Sequence, residues 1–534
     1  MKRSSKAMPT VREVHQARWN EPVVMEMGVP GRRGAVYSAP EAVVEKAVGK
    51  AADLVPAAMR RKNRPALPEM TEPDVLRHYL HLSQMVHGMM GVNLFGTCTM
   101  KYNPRISTHL TLRPELATLH PYQPEETLQG LLEIVHRFDL ILRELSGMDQ
   151  FVFQAAGGAG AAYTHACITR GYFQARGELA QRNEIISTIQ THPCNQATAA
   201  TAGFNVITLP LEENGYPSIE ALQGALSNRT AALMVNNPDD MGVYNPKIKD
   251  WVKLVKKAGA LAFYDHANFN GVMSKIRARE LGFDACMFML HKTFGGPKGG
   301  GGPAVGAYGC SAELAPFLPK PVVLLDEKTG RYRLDADRKL SIGKVREYFG
   351  NLQVVFYAYA WARAMGGDGI AEASDLAVLA NNYMEKKLLA IPGVVKSQPQ
   401  MTMHRMEMTR YGLGPLKEQT GIGIVEVGAR MTDYGVDSPW LSHEPWVVPE
   451  PFTPEPGELW SKEDIDYWIA ALAKVCEEAR TNPDLVRTAP HNAAIHAING
   501  ARLDDPGYWA TTWRAYKRKQ APVTKASGKA ASSR

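Results

Sequence analysis

Two short apolar runs constrain this chain most, because each stops at a chemically loaded residue. Ala260 to Tyr264 runs into Asp265-His266-Ala267-Asn268, and Ala285 to Leu290 runs into His291-Lys292-Thr293-Phe294 and then the glycines Gly299 to Gly302. Apolar runs this short, cut off by polar residues, are the length of buried strands. Parallel α/β sheets carry their chemistry at the carboxyl ends of strands. Asp265 and Lys292 therefore both stand where a ligand binds, and an acid and an amine held there can grip the two ends of a pyridoxal phosphate ring. The acid keeps the pyridine nitrogen protonated and the lysine forms the Schiff base. Thr293 can hydrogen-bond a phosphate, and Gly295-Gly296 with Gly299 to Gly302 let backbone approach a ligand closely. The plainer alternatives are a solvated lysine and an aspartate that caps its own loop.

The rest of the chain repeats the strand–helix rhythm. Strands are expected at Glu184 to Thr188, Phe204 to Leu211 and Ala231 to Asn236, with a helix from Pro246 to Ala258. An earlier helix, Glu125 to Leu145, opens after Pro124 with two acids, as the helix dipole favours. That alternation predicts a parallel α/β sheet. From about residue 336 the pattern changes to long helices, Gln353 to Arg363 and Ile370 to Leu389, followed by a small α+β lobe that ends in an amphipathic helix, Lys462 to Arg480. The expected division is an N-terminal arm with helices over 1–115, a large α/β domain over 116–335, a smaller C-terminal lobe over 336–500, and a basic tail over 501–534 whose last part is disordered.

Charge and composition exclude several classes. The 534 residues carry a formal net charge of +7. Ten of the positive charges lie in the termini, three within residues 1–7 and seven within 514–534, so the body of the chain carries −3. The basicity belongs to two tails and gives no nucleic-acid surface. No run of about 18 apolar residues marks a membrane span, and no apolar segment follows Met1 to Ala7 to make a secretory signal. The six cysteines show no CxxC spacing, which points to reduced thiols in the cytosol and to no metal site.

Several segments, in order along the chain, resemble the glycine cleavage system P-protein, the decarboxylating glycine dehydrogenase. They are Pro30-Gly31-Arg32-Arg33-Gly34, Cys98-Thr99-Met100-Lys101-Tyr102-Asn103-Pro104, His120-Pro121-Tyr122-Gln123-Pro124-Glu125-Glu126-Thr127, His291-Lys292-Thr293-Phe294 with its four glycines and Pro303, and Ser341-Ile342-Gly343-Lys344-Val345. The resemblance is to the lysine-bearing second subunit of the two-subunit form and spans roughly residues 20 to 500. It implies the aspartate aminotransferase-like fold (fold type I), a cytoplasmic hetero-oligomer with a first subunit of related fold, pyridoxal 5'-phosphate as cofactor, and decarboxylation of glycine with transfer of its aminomethyl group to a lipoyl carrier protein. It also implies roles for single residues. Lys292 and His192 are the catalytic candidates. Asp265, Ala267, Gly158, Ala159 and Thr293 join those two in holding the cofactor, with Gly158, Ala159 and Gly160 at the start of a helix where this fold cradles the phosphate. Thr99, Tyr102 and Asn103 belong to an early loop that reaches the same region.

The chain departs from the family wording at four places: Ala161-Ala162 for a Gly-Glu pair, His266 for the glycine after the aspartate, Pro193-Cys194-Asn195-Gln196 for Gly-Thr-Asn-Pro, and Lys298 for a histidine. Placed in or beside the pocket, these changes keep a second reading open, a related enzyme that decarboxylates or transaminates another, larger amino acid. A third reading is a non-catalytic assembly subunit, which the presence of both Lys292 and Asp265 opposes.

Overall fold

The computed structural model describes residues 8–35, 37–63, 65–86, 92–94, 103–297, 304–442, 447–494, 505, 509–510 and 512–520. The chain forms two compact units, Met1–Arg12 with Gly91–Thr488, and Glu13–Met90 with Ala489–Arg534. The last segment of the basic tail, the Gly299 to Gly302 run, Lys298, Thr99 and Tyr102 lie outside the described residues.

The larger unit is built on a seven-stranded sheet: β1 (Gln150–Ala155), β2 (Glu184–Thr188), β3 (Asn205–Leu209), β4 (Thr230–Asn236), β5 (Leu261–His266), β6 (Ala285–Met289) and β7 (Gly306–Cys310), in the order β1-β7-β6-β5-β4-β2-β3. The pairs β2–β3, β2–β4, β4–β5 and β5–β6 are parallel, whereas β7 runs antiparallel to both β6 and β1. The sheet is therefore mixed, where the sequence rhythm suggested an all-parallel one. The cause is the connection: β6 reaches β7 without a crossover helix among the described residues, and adjacent strands joined without a crossover run antiparallel.

Helices cover both faces. They are α1 (Gln129–Ser146), α2 (Gly158–Ala175), α3 (Pro193–Thr201), α4 (Ile248–Lys257) and the first half of α5 (Leu352–Leu388). The period of two along a strand assigns each side chain to a face. On β5 and β6, Tyr264, Cys286 and Phe288 pack with Phe138 of α1, Trp251 of α4 and Trp361 of α5. Phe263 and Met287 pack instead with Ala161 and Ala166 of α2 and Ala199 of α3. The helix α4 shows why such segments are helical: Ile248, Trp251, Val252 and Val255, spaced three and four apart, are its buried residues, which makes one apolar stripe.

The two long helices expected after residue 336 are the two halves of α5, which meet at a kink at Gly366, whose φ of 65° and ψ of 178° are not helical. A hairpin before it, Val322–Asp326 with Arg331–Asp335, was not anticipated. The second half of α5 borders a third core that includes Met384 and Leu388 together with α6 (Ile424–Thr432), α7 (Lys462–Thr481) and a small sheet of Val395–Lys396, Tyr411–Gly412 and Pro451–Phe452. Helix α7 opens on a capping box in which Ser461 and Asp464 serve each other's backbone N–H, as a serine before an acid-rich first turn should.

In the smaller unit, the helix Glu72–Gln84 opens on a similar box of Thr71 and Asp74. There Glu21 accepts from Nδ1 of His78 at 2.6 Å and from Nδ1 of His81.

Candidate active site

Strand register brings the candidate residues to one end of the sheet. Asn236 at the end of β4 pairs with Asp265 on β5, and Asp265 pairs with Met287 on β6. Asp265 shares the face of Phe263, the side covered by α2 and α3. It is 1% exposed, and a carboxylate that deep needs hydrogen bonds to remain ionised. Its Oδ2 accepts from Nδ2 of Asn195 at 2.8 Å and its Oδ1 from the backbone N–H of Ala267 at 2.9 Å. Burial pushes its carboxyl above the ordinary aspartate range, while the Asn195 bond and the charges of His192 and Lys292 act the other way.

Lys292 follows β6 in a turn closed by its own N–H on the carbonyl of Met289 at 3.1 Å, and it is buried. Phe294, two residues on, holds that turn down. It is fully buried and meets Phe138, Phe288 and Trp361 edge-on. Burying such a ring contributes roughly 1.5–3 kcal/mol, so the turn that carries the lysine is fixed by the core beneath it.

His192 caps α3. Its ring Nδ1 accepts the N–H of Cys194 at 3.1 Å, and its own N–H donates to Oδ1 of Asn236 at 3.2 Å. An acceptor at Nδ1 leaves the proton of the neutral ring on Nε2, an assignment that follows from the hydrogen-bond network. Pro193, which replaces a family glycine, occupies the first turn of α3, where its missing N–H costs nothing. The Cys194 thiol is pushed well above its ordinary value by burial, and Asp265 and Asp240 add to this, so it is no thiolate nucleophile.

At the start of α2, Gly157 takes φ 151° and Gly158 begins the helix. A side chain on Gly158 would meet Sδ of Met289 at 2.5 Å, and one on Gly306 would meet the carbonyl oxygen of Gly157 at 2.3 Å. These contacts place the helix start against the ends of β6 and β7, three residues before Lys292. Its unpaired N–H groups form an anion-binding end. Ala159 is exposed there. Ala267 is buried among the side chains of the α2 face. Thr293 is buried, and its hydroxyl donates to Oδ1 of Asn270 at 2.6 Å. Asn103 stands two residues before the helix Arg105–Thr111.

Two of the four departures do not face this site. His266 points to the opposite side of the sheet from Asp265, where its ring lies against Tyr264, Phe269 and Phe288. It is 2% exposed, and burial lowers its pKa to about 3, which keeps it neutral. Ala161 and Ala162 are both fully buried in the core between α2 and the sheet. The expectation that every departure lines the pocket is thus corrected for these positions, because alternation along β5 and the inward stripe of α2 turn them into core.

Sequence reasoning did not single out Asn195, Asn236, Asp240 or Asn268. Nδ2 of Asn236 and Nδ2 of Asn268 both donate to Oδ1 of Asp240, at 3.0 and 2.9 Å. The available signal was the polar cluster Asn236-Asn237-Pro238-Asp239-Asp240 directly after an apolar strand, the same rule that picked out Asp265.

Two sequence families match separate stretches of the chain. The family described as Aminotransferase class-V matches residues 157–315, and that described as Glycine dehydrogenase, C-terminal domain, matches residues 373–497. A probable glycine dehydrogenase (decarboxylating) subunit 2 from Pyrococcus furiosus is 41% identical over 94% of this chain and 97% of its own. One of the same description from Caldanaerobacter subterraneus subsp. tengcongensis is 39% identical over 89% and 96%. The crystal structure of the glycine decarboxylase (P-protein) of the glycine cleavage system, in inhibitor-bound form, superposes with a TM-score of 0.69 at 20% identity, covering 83% of this chain and all of that one. A cysteine desulfurase from Escherichia coli follows at 0.54 and 17%, covering 73% and 95%. The architecture is fold type I, and the chain belongs to the glycine dehydrogenase (decarboxylating) subunit 2 family.

Proposed function

We propose that this chain is the lysine-bearing subunit of a pyridoxal phosphate-dependent glycine decarboxylase, which releases the glycine carboxylate as CO2 and passes the aminomethyl group to a lipoyl carrier protein. A subunit 1 completes the assembly, as the name subunit 2 carried by its relatives suggests. The supporting observation is the burial of an amine and a carboxylate, Lys292 and Asp265, at neighbouring strand ends beside the glycine-lined start of α2.

The residues fit the cofactor. Asp265 keeps acceptor capacity beyond its two recorded bonds, and Oδ1 of Asn195 is buried without a hydrogen-bond partner, an arrangement expected of a site made for a polar ligand. A side chain on Gly157 would meet only Cβ of Ala304, at 4.0 Å, so the entry to the helix is open on that side. When bound, pyridoxal phosphate supplies a carbonyl that condenses with amines and a protonated ring that accepts the electron pair released with CO2. Lys292, buried in its turn after β6, is the residue that would hold that carbonyl. Asp265 keeps a proton on the ring nitrogen; its buried position strengthens that interaction, since charge stabilisation is largest where water is excluded. His192, with Nδ1 tied to the backbone, presents its other nitrogen from the N-cap of α3. Thr293 fixes the Asn270 side chain beside the lysine turn.

Decarboxylation or transamination of another amino acid is not favoured. The motif differences that supported it include His266 and Ala162, which are core residues. Among the described residues no helix is long and apolar enough to cross a membrane, and the absence of paired cysteine spacing supports a cytosolic setting. The test is exchange of the glycine carboxyl carbon with labelled bicarbonate, with subunit 1 and a lipoyl carrier supplied. Exchange is expected with glycine. Its absence, together with a spectral response to a different amino acid, overturns the reading.

A further inference from the structure

A carboxylate as deeply buried as Asp265 stays ionised only if donors hold it, and this one has few. Among the described residues two donors reach it, one on each oxygen: the backbone N–H of Ala267 at 2.9 Å and Nδ2 of Asn195 at 2.8 Å. The first is main chain, directly after β5, and any residue but proline would supply it. Asn195 is the one side chain that donates. It comes from a different element, as the third residue of α3, and is itself fully buried.

The amide is held in its turn. The backbone N–H of Asn195 donates to the carbonyl of His192 at 3.0 Å, which closes the first turn of α3, and Nδ2 lies 3.5 Å from that same carbonyl. Two acceptors thus face Nδ2, and the reversed amide would set oxygen against oxygen, which assigns the orientation from the network. The first turn of a helix also favours an anion beside it. Burial pushes the Asp265 carboxyl up, and among the groups that oppose this the Asn195 bond comes first, ahead of the charges of His192 and Lys292. The choice of a neutral donor is informative. Buried acids elsewhere, Asp139, Asp284 and Asp433, pair with the cations Arg143, Lys256 and Arg430. A cation on Asp265 would neutralise it, whereas an amide orients the anion and leaves its charge for a ligand.

We propose that Asn195 is a positioning residue of this site: its Nδ2–Oδ2 hydrogen bond keeps Asp265 an oriented anion, and so sets how strongly the site prefers a ring that carries a protonated nitrogen over one that has no nitrogen to protonate. Asn195 acts through Asp265, so this inference rests on the reading of Asp265 as the partner of the ring nitrogen.

The test titrates the full-length chain with pyridoxal phosphate and with its deaza analogue, in which a C–H replaces the ring nitrogen, and reads the ratio of the two dissociation constants. The wild type should bind pyridoxal phosphate the more tightly. Asn195→Leu, similar in volume but without a donor, should lose about tenfold to a hundredfold of that preference, the size of one hydrogen bond to a charged group. In an Asp265→Asn background the same substitution should leave the ratio where it is, because no anion remains to be held. Asn195→Val is a second variant without a donor, for use if the leucine does not fit. A folded variant with the wild-type ratio overturns the proposal, since a merely structural role weakens both ligands alike. Failure of both variants to bind either ligand also counts against it, as a structural role. The two layers separate cleanly. If the wild type shows no preference for the ring nitrogen, the reading of Asp265 fails. If Asp265→Asn abolishes the preference while Asn195→Leu and Asn195→Val keep it, only the role of Asn195 fails.

Discussion

Lys292 and Asp265 were legible because each breaks an apolar run, and such a break is visible in one dimension. Their partners were less so. Asn195 reaches Asp265 from 70 positions away, and only the folding of α3 over the sheet brings them together. His266 shows the opposite failure. It sits beside Asp265 in sequence, yet strand alternation sends it to the other face, among Tyr264, Phe269 and Phe288. Adjacency in a motif is therefore poor evidence for adjacency in a pocket when the motif is a strand. The prediction at this scale concerns Lys292. Lys292→Ala should abolish both the yellow absorbance and glycine carboxyl exchange while leaving the fold intact, because the turn is held by Phe294 rather than by the lysine. Absorbance spectra, borohydride reduction and a thermal melt check it; a reducible adduct in the variant would count against the assignment.

At the scale of elements, the strands β2, β4, β5 and β6 and the helix α4 followed from apolar spacing within a residue or two. Strand β7 did not, because Gly306-Ala307-Tyr308-Gly309-Cys310 has weak strand propensity, and its place is set by packing. Gly309 lies under the ring of Phe151, and Gly306 lies against the carbonyl of Gly157. Neither position has space for a Cβ. By contrast the two halves of α5 were legible as two helices, and the kink at Gly366 separates them. The close fit of β7 on α2 gives a prediction. In Gly306→Ala the new Cβ meets backbone at 2.3 Å rather than a flexible side chain, so the Gly157 peptide must move. Overpacking of this kind costs about 1–3 kcal/mol, and the displaced helix start should weaken cofactor binding about tenfold or more, as 1.4 kcal/mol is tenfold. Urea unfolding and a cofactor titration measure the two effects. A variant with normal affinity would remove α2 from the cofactor site.

For the whole molecule, the cores on the two sides of the sheet each bury a histidine in neutral form, His266 on one side and His165 on the other. His165 stacks on Phe263, and its Nδ1 lies 3.0 Å from the hydroxyl of Tyr308. Burial lowers the pKa of both to about 3, against about 6.5 in an unfolded chain. The unfolded state therefore binds protons that the native state refuses over that interval. Stability contributed by these neutral rings is complete above about pH 6.5 and is lost progressively as pH falls from there toward about 3, at roughly 1 kcal/mol per pH unit for each histidine. The net charge of the chain gives no hint of this, since all of its positive excess is in the tails and the acid sensitivity is in the core. Urea midpoints of the cofactor-free protein should drop steeply between pH 7 and pH 5. Replacing His266 by phenylalanine, which suits the aromatic surroundings and cannot take up a proton, should flatten the dependence by about one histidine's share. An unchanged slope in that variant would mean that His266 takes up its proton without unfolding.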